Sequence, residues 1–285
     1  MKKESMLYPY GELDVLNYYS CVAPYLKDFL KGKEIATRTW LKKANIPYFI
    51  RRGSKDGNLF INDVRITKKL LLLRKDGKLE DYKKTLSKKE IMLWHYFVPR
   101  KYVELFYSLN REKGKYIDRM YYDIDRKDKT SEDARKITIL LIDAIKKSKL
   151  NVIIKKLIIL WTGKSFHVVL LLRNKQKYNF YNQISSENEN GFTSQFVREI
   201  NKKTKVKVNG GHERVAGEIV IDPSQSAPGK LARSPFSLHV KDGICDGICV
   251  PISLEELSKK KIINHLSSLT INKIVRNLHK YYKAL

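Results

Sequence analysis

Residues 119–130 read RMYYDIDRKDKT, two carboxylates at alternate positions of an apolar, aromatic run with a cluster of cations behind them. On a strand, residues i and i+2 share a face, so Asp123 and Asp125 project to one side with side chains roughly 7 Å apart. A core strand would carry aliphatic residues there. Two carboxylates so placed can hold hard divalent ions, and Mg²⁺ or Mn²⁺ on oxygen ligands keeps coordination positions for substrate phosphates. The pair alone is not decisive, since Asp-x-Asp is common and DRKDKT also reads as a polar turn leading into a helix.

The elements around the pair supply what it lacks. Thr130 or Ser131 caps a helix over SEDARKITILLIDAIKKSK, acidic in its first turn and basic at its end, as the helix dipole favours. KKLIILW and SFHVVLLL are β-rich runs joined by TGK, a tight hairpin; a helix follows at FTSQFVREINKK, and TKVKV, NGG and HERVAGEIVID read as another hairpin. The order is β-α-β-β-α-β with an extra strand, which predicts an α+β fold with an RRM/ferredoxin-like sheet. In such a sheet the first strand lies antiparallel to the third, which places His167 beside the two aspartates. The turn TGKS then offers backbone N–H groups, Lys164 and Ser165 to phosphate. With TKVKV antiparallel to the first strand and EIVID turned back through NGG, Asp222 comes to the same end as Asp123; if EIVID were itself the neighbouring strand, Asp222 is expected at the wrong end. Glu213 and Glu218 are the rival acids. In RSPFSLHVKDG, Pro235 forbids continuous helix, and Arg233, His239 and Lys241 form an extended anion-binding strip or a basic surface loop.

Composition agrees with a polyanionic partner. The 285 residues include 57 Lys+Arg against 30 Asp+Glu, a formal charge of +27, and the cations interleave with Tyr, Phe and Trp. No leader pattern and no long uncharged apolar run is present, so the chain is expected to be soluble, cytoplasmic and without a membrane role. Three cysteines, Cys21, Cys245 and Cys249, make neither a disulfide framework nor a four-ligand zinc pattern, and no zinc is expected. Towards the N-terminus a helical segment with Pro24 precedes a β-rich piece carrying Arg51 and Arg52, and the polar stretch 75–90 is the best boundary. The expected domains are a mixed α/β region over 1–90, contacting template or an initiating nucleotide, and a catalytic core over 91–285. WHYFVPRKYVELFYSLNREKG reads as a helix from near Pro99 to Gly114. At the end, Ser253 and Glu256 form a capping box, and Ile271, Ile274, Leu278 and Tyr281 line the apolar face of a last helix.

Together these segments resemble the archaeo-eukaryotic primase superfamily. Asp123-Ile124-Asp125 matches its first motif, Ser165-Phe166-His167 its second, Ile221-Asp222 its third, and RSPFSLHVKDG its Arg-x-Pro-x-Ser-x-His-x-Lys segment, in family order from about residue 119 to 243. The resemblance implies that Asp123, Asp125 and Asp222 bind two divalent metals (Mg²⁺ or Mn²⁺) and act catalytically, and that Ser165, His167, Arg233 and His239, extended to Lys164 and Lys241, hold the incoming triphosphate. Implied partners are a single-stranded DNA template and NTPs or dNTPs, with room for helicase or other replication and repair partners. The cysteine-rich zinc segment of many replicative primase small subunits is missing, which favours a stand-alone primase-polymerase, or a repair-type polymerase of the same superfamily, over a cellular replicative small subunit; the leading expectation is a primase-polymerase that makes or extends primers. Its alternatives are an end-joining repair polymerase of the same superfamily, a metal-dependent nuclease, or a non-catalytic RRM-like binding module.

Overall fold

The computed structural model describes residues 12–41, 46–50, 58–67, 70, 79–97, 102–110, 115–242 and 244–285. In chain order its main elements are α1 (Glu12–Leu26), β1 (Ile35–Leu41), β2 (Ile46–Ile50), α2 (Lys88–Phe97), β3 (Glu104–Ser108), β4 (Tyr116–Asp125), α3 (Ser131–Lys147), β5 (Ile154–Trp161), β6 (Phe166–Lys177), α4 (Phe192–Asn201), β7 (Val208–Gly210), β8 (Ile219–Asp222), β9 (Leu231–Arg233), β10 (Leu238–Lys241), β11 (Ile244–Ile248) and β12 (Val250–Ile252). They divide into two compact units, one of Met1–Tyr107, Arg233–Cys249 and Leu269–Lys283, the other of Ser108–Ala232, Val250–Ser268 and Ala284–Leu285. Among the described residues no helix is long and apolar enough to cross a membrane.

In the first unit β1 pairs antiparallel with both β2 and β3. Helix α1 runs through Pro24 near its end and buries Leu16, Tyr18, Tyr19, Val22 and Leu26. The Tyr18 hydroxyl donates to Phe236 O at 2.6 Å and that of Tyr19 to Val103 O at 2.7 Å, so the helix is tied to the segments it covers. Among the described residues of 99–114 the expected helix is replaced by a strand: α2 ends at Phe97, and Glu104–Ser108 is a strand with all five residues buried. Burial on both faces removes the period-two signal, and ELFYS, rich in aromatics, fits a strand that pairs Ile35 with Tyr107 and Arg38 with Glu104. Inside the polar stretch 75–90, Leu79–Tyr82 forms a helical turn and α2 begins at Lys88. At the C-terminal end the expected single helix is two short ones, Ile271–Arg276 and Leu278–Tyr282, with Ile274, Leu278 and Tyr281 buried.

The second unit holds a six-stranded sheet in the order β12-β5-β6-β4-β8-β7. Thr130 caps α3 by accepting from Asp133 N while Asp133 reaches back, and Ser253 and Glu256 do the same for the short helix Leu254–Ser258. The β5–β6 hairpin forms at TGK as expected, with Gly163 at φ +101°, a conformation that glycine adopts without a Cβ clash. Arg119–Tyr122 of β4 are buried in both directions, and the Tyr122 ring meets Phe196 of α4 at 6.3 Å. The hairpin expected through NGG is corrected. TKVKV contributes only Val208 to a strand, β7 runs parallel to β8, and β8 itself lies antiparallel against β4. Asp222 nevertheless meets Asp123, because the strands overlap by only three residues at their C-terminal ends, so antiparallel pairing brings those ends together.

Candidate active site

Three strand ends converge at β4. Asp123 is the cross-strand partner of both His167 on β6 and Asp222 on β8. His167 is 5% exposed; the Tyr121 hydroxyl, two residues before Asp123 on the same face, is hydrogen-bonded to its Nδ1. Its Nε2 faces Asp123 Oδ1 at 3.2 Å, and because an ionised carboxylate only accepts, this assigns the ring proton to Nε2 and the donor role at Nδ1 to Tyr121. Gln225 Nε2 reaches the other oxygen of Asp123 at 3.5 Å. Asp222 is buried and accepts from Ser224 N–H at 2.7 Å.

The electrostatics are those of crowded carboxylates. Burial, with the Asp123 charge beside it, pushes the Asp125 carboxyl up to about 6 in spite of the Arg214 guanidinium 2.7 Å from its Oδ1. Asp222 is also raised, by burial first and by Asp123 in addition, against the pull of Ser224. Hard oxygen donors that repel one another fit a divalent cation, which relieves both the repulsion and the desolvation. In this arrangement Arg214 and His167 engage the carboxylates, and among the described residues no group of three or more acidic, His or Cys side chains is arranged to hold a metal ion. The rival Glu218 is turned away to Lys207 and Asn209, and Glu213 is exposed.

The cations after the pair have structural partners. Arg126 donates to Lys164 O at 2.9 Å and to Lys129 O, and Ser131 donates to Lys164 O at 2.7 Å, so the TGKS turn is pinned beside β4. Lys127 donates to Arg214 O at 3.3 Å, and Asp128 accepts from Gly217 N–H at 3.0 Å, holding the loop that carries Arg214. Ser165 is buried, with its hydroxyl donating to Ile124 O, whereas Lys164 is exposed.

A family profile described as LigD, primase-polymerase domain, matches residues 12–284. The chain belongs to the LigD primase-polymerase domain family. The match covers both units, and the family lies within the archaeo-eukaryotic primase superfamily that the four motifs resemble; its members are DNA nucleotidyltransferases that use Mn²⁺ or Mg²⁺. Among solved structures, the polymerase domain from Mycobacterium tuberculosis Ligase D in complex with DNA is similar at a TM-score of 0.60 and 13% identity, over 99% of this chain and 97% of that one. At that identity the likeness concerns the fold, a mixed α+β architecture. No curated protein matches the chain.

The other residues expected from the superfamily motifs belong to the first unit. Arg233 is 2.9 Å from Glu104 Oε1, His239 Nδ1 pairs with Asp246, and Lys241 is exposed at the end of β10. Arg51 and Arg52 lie outside the described residues. Sequence reasoning missed Tyr121, Gln225, Arg214 and Glu104. Tyr121 and Gln225 had a signal, two residues before one motif acid and three after another. Arg214 had none, since its loop bears no regular spacing to the motifs.

Proposed function

We propose that this protein is a primase-polymerase, a template-directed nucleotidyltransferase that synthesises or extends primers on single-stranded DNA. The observation that carries the reading is the pairing of Asp123 with Asp222 across β4 and β8, with Asp125 on the same strand and His167 alongside. The strand order β5-β6-β4-β8 supports an RRM/ferredoxin-like core in which β8 serves as fourth strand. Asp123, Asp125 and Asp222 would hold two Mg²⁺ or Mn²⁺ ions, whose chemistry is to acidify a 3′-hydroxyl and to neutralise the phosphates during in-line attack on the α-phosphorus. Tyr121 keeps the His167 proton on Nε2, so the imidazole is a donor on the acidic side of the sheet. Lys164, Ser165, His167, Arg233, His239 and Lys241 would receive the triphosphate and balance the charge of the leaving pyrophosphate. Residues 1–90, with Arg51 and Arg52, would contact the template or an initiating nucleotide, and residues 91–285 would carry the catalysis.

The structural relative in complex with DNA supports a DNA partner here, and the family's LigD membership keeps end-joining repair as the second reading. Incubation with single-stranded template, Mn²⁺ or Mg²⁺ and ribo- or deoxyribonucleotides, with and without primer, tests both. Product without primer is expected for the first reading; extension confined to bridged or primed ends would select the second, and no product under any condition would sink the polymerase reading.

A further inference from the structure

The structure assigns a positioning role to Glu104, a residue outside the four motifs, and the assignment rests on the reading of Arg233 and His239 as triphosphate-holding groups. Glu104 opens β3 and is 1% exposed. A buried carboxylate needs several partners, and it has them. Its Oε2 accepts from Arg38 Nε, its cross-strand partner on β1. Its Oε1 accepts from Val240 N–H at 3.2 Å and pairs with Arg233 Nη1 at 2.9 Å, close enough for an ion pair but out of line for a hydrogen bond.

The contacts of the next residue have the same destination. Ser234 N–H donates to Leu105 O at 2.9 Å, and Leu105 N–H donates to Ser237 Oγ at 2.9 Å. Residues 104 and 105 therefore stitch RSPFSLHVK to the sheet at Arg233, Ser234, Ser237 and Val240. Arg38 and Arg233 both approach the Phe106 ring, at 5.0 and 5.7 Å, and their side chains are 23% and 11% exposed. Two guanidiniums on one carboxylate leave a positive charge in excess. Asp246, the acid on the adjoining strand β11, is taken by His239. Glu104 thus holds Arg233 in a fixed direction without neutralising the site, which pre-organises it for a polyphosphate anion.

The test is steady-state kinetics of Glu104→Gln and Glu104→Asp, with folding checked by circular dichroism and template affinity by anisotropy. Gln keeps the shape and loses the charge; Asp keeps the charge and cannot span both arginines. Expected for Glu104→Gln is a nucleotide KM raised about tenfold, a smaller fall in kcat and an unchanged template Kd, with Glu104→Asp in between. A folded variant pair with wild-type nucleotide KM overturns the proposal, as does loss of folding in both, which would make Glu104 a residue of the fold only. Wild-type protein that neither binds triphosphate nor uses it defeats the underlying reading of Arg233 and His239 instead.

Discussion

Two clusters of buried charge stand in this chain with opposite surpluses. On the β4–β8 sheet, three carboxylates are met by Arg214 and His167. At the start of β3, one carboxylate is met by two guanidiniums. Buried charge is stable only when paired, so a surplus that survives folding marks where a ligand of the other sign is to come. On the proposed reading the acidic cluster takes cations and the basic one an anion. A nucleotidyltransferase needs both, and neither cluster alone distinguishes it from a binding module.

The largest effect should come from the acidic side. Replacing Asp123, Asp125 or Asp222 by Ala is expected to lower nucleotide incorporation by about 10³-fold or more while template affinity, read by anisotropy, stays near wild type. Retained incorporation in all three variants would make these carboxylates incidental to the chemistry and move the catalytic centre elsewhere.

Neutralising one acid in each cluster should move stability in opposite directions. Glu104→Ala strands two guanidiniums, and its cost is expected near the low end for a broken buried pair, about 3 kcal/mol in urea unfolding, because Arg38 keeps some contact with water. Asp125→Asn should do the reverse in the absence of divalent ions. The folded carboxyl titrates at about 6, above its ordinary value of 3.8, so the folded state binds the proton more tightly and wild-type stability falls as pH rises between the two. At pH 8 the ionised group costs up to about 3 kcal/mol, discounted for its exposed Arg214 partner, and Asn escapes that cost. Melting temperatures should therefore favour Asp125→Asn at pH 8 and converge near pH 4. Added Mn²⁺ should stabilise the wild type and not the variant; equal responses would separate Asp125 from metal binding.

The two clusters also differ in how far they could be read from the sequence. Period-two alternation put Asp123 and Asp125 on one face, and the Gly163 turn fixed the hairpin that brings His167 alongside, because strand geometry is local. Asp222 was placed at the right end by the wrong route. A parallel β7–β8 pair cannot be told from a hairpin by composition, and short overlap at strand ends carries no sequence signal. Glu104 was not legible at all. It lies in a segment read as helix, and an acid there looks like a solvent-facing residue until its partners 66 and 136 positions away in sequence are brought together.

The smallest contrast concerns the two histidines. His167 takes a neutral phenol, Tyr121, inside a fully buried ladder; His239 takes a carboxylate, Asp246, with the two side chains 25% and 23% exposed. Charge assistance favours the second pair, but solvent screens it and entropy opposes it, whereas loss of the first leaves a buried nitrogen without a partner. Tyr121→Phe should cost about 1 kcal/mol or somewhat more, and Asp246→Asn less than about 1 kcal/mol, both from urea midpoints at pH 7.5. The reverse ranking would mean that the β10–β11 hairpin depends on its His239–Asp246 contact more than burial allows, and that the basic cluster beside it is the more tightly held of the two.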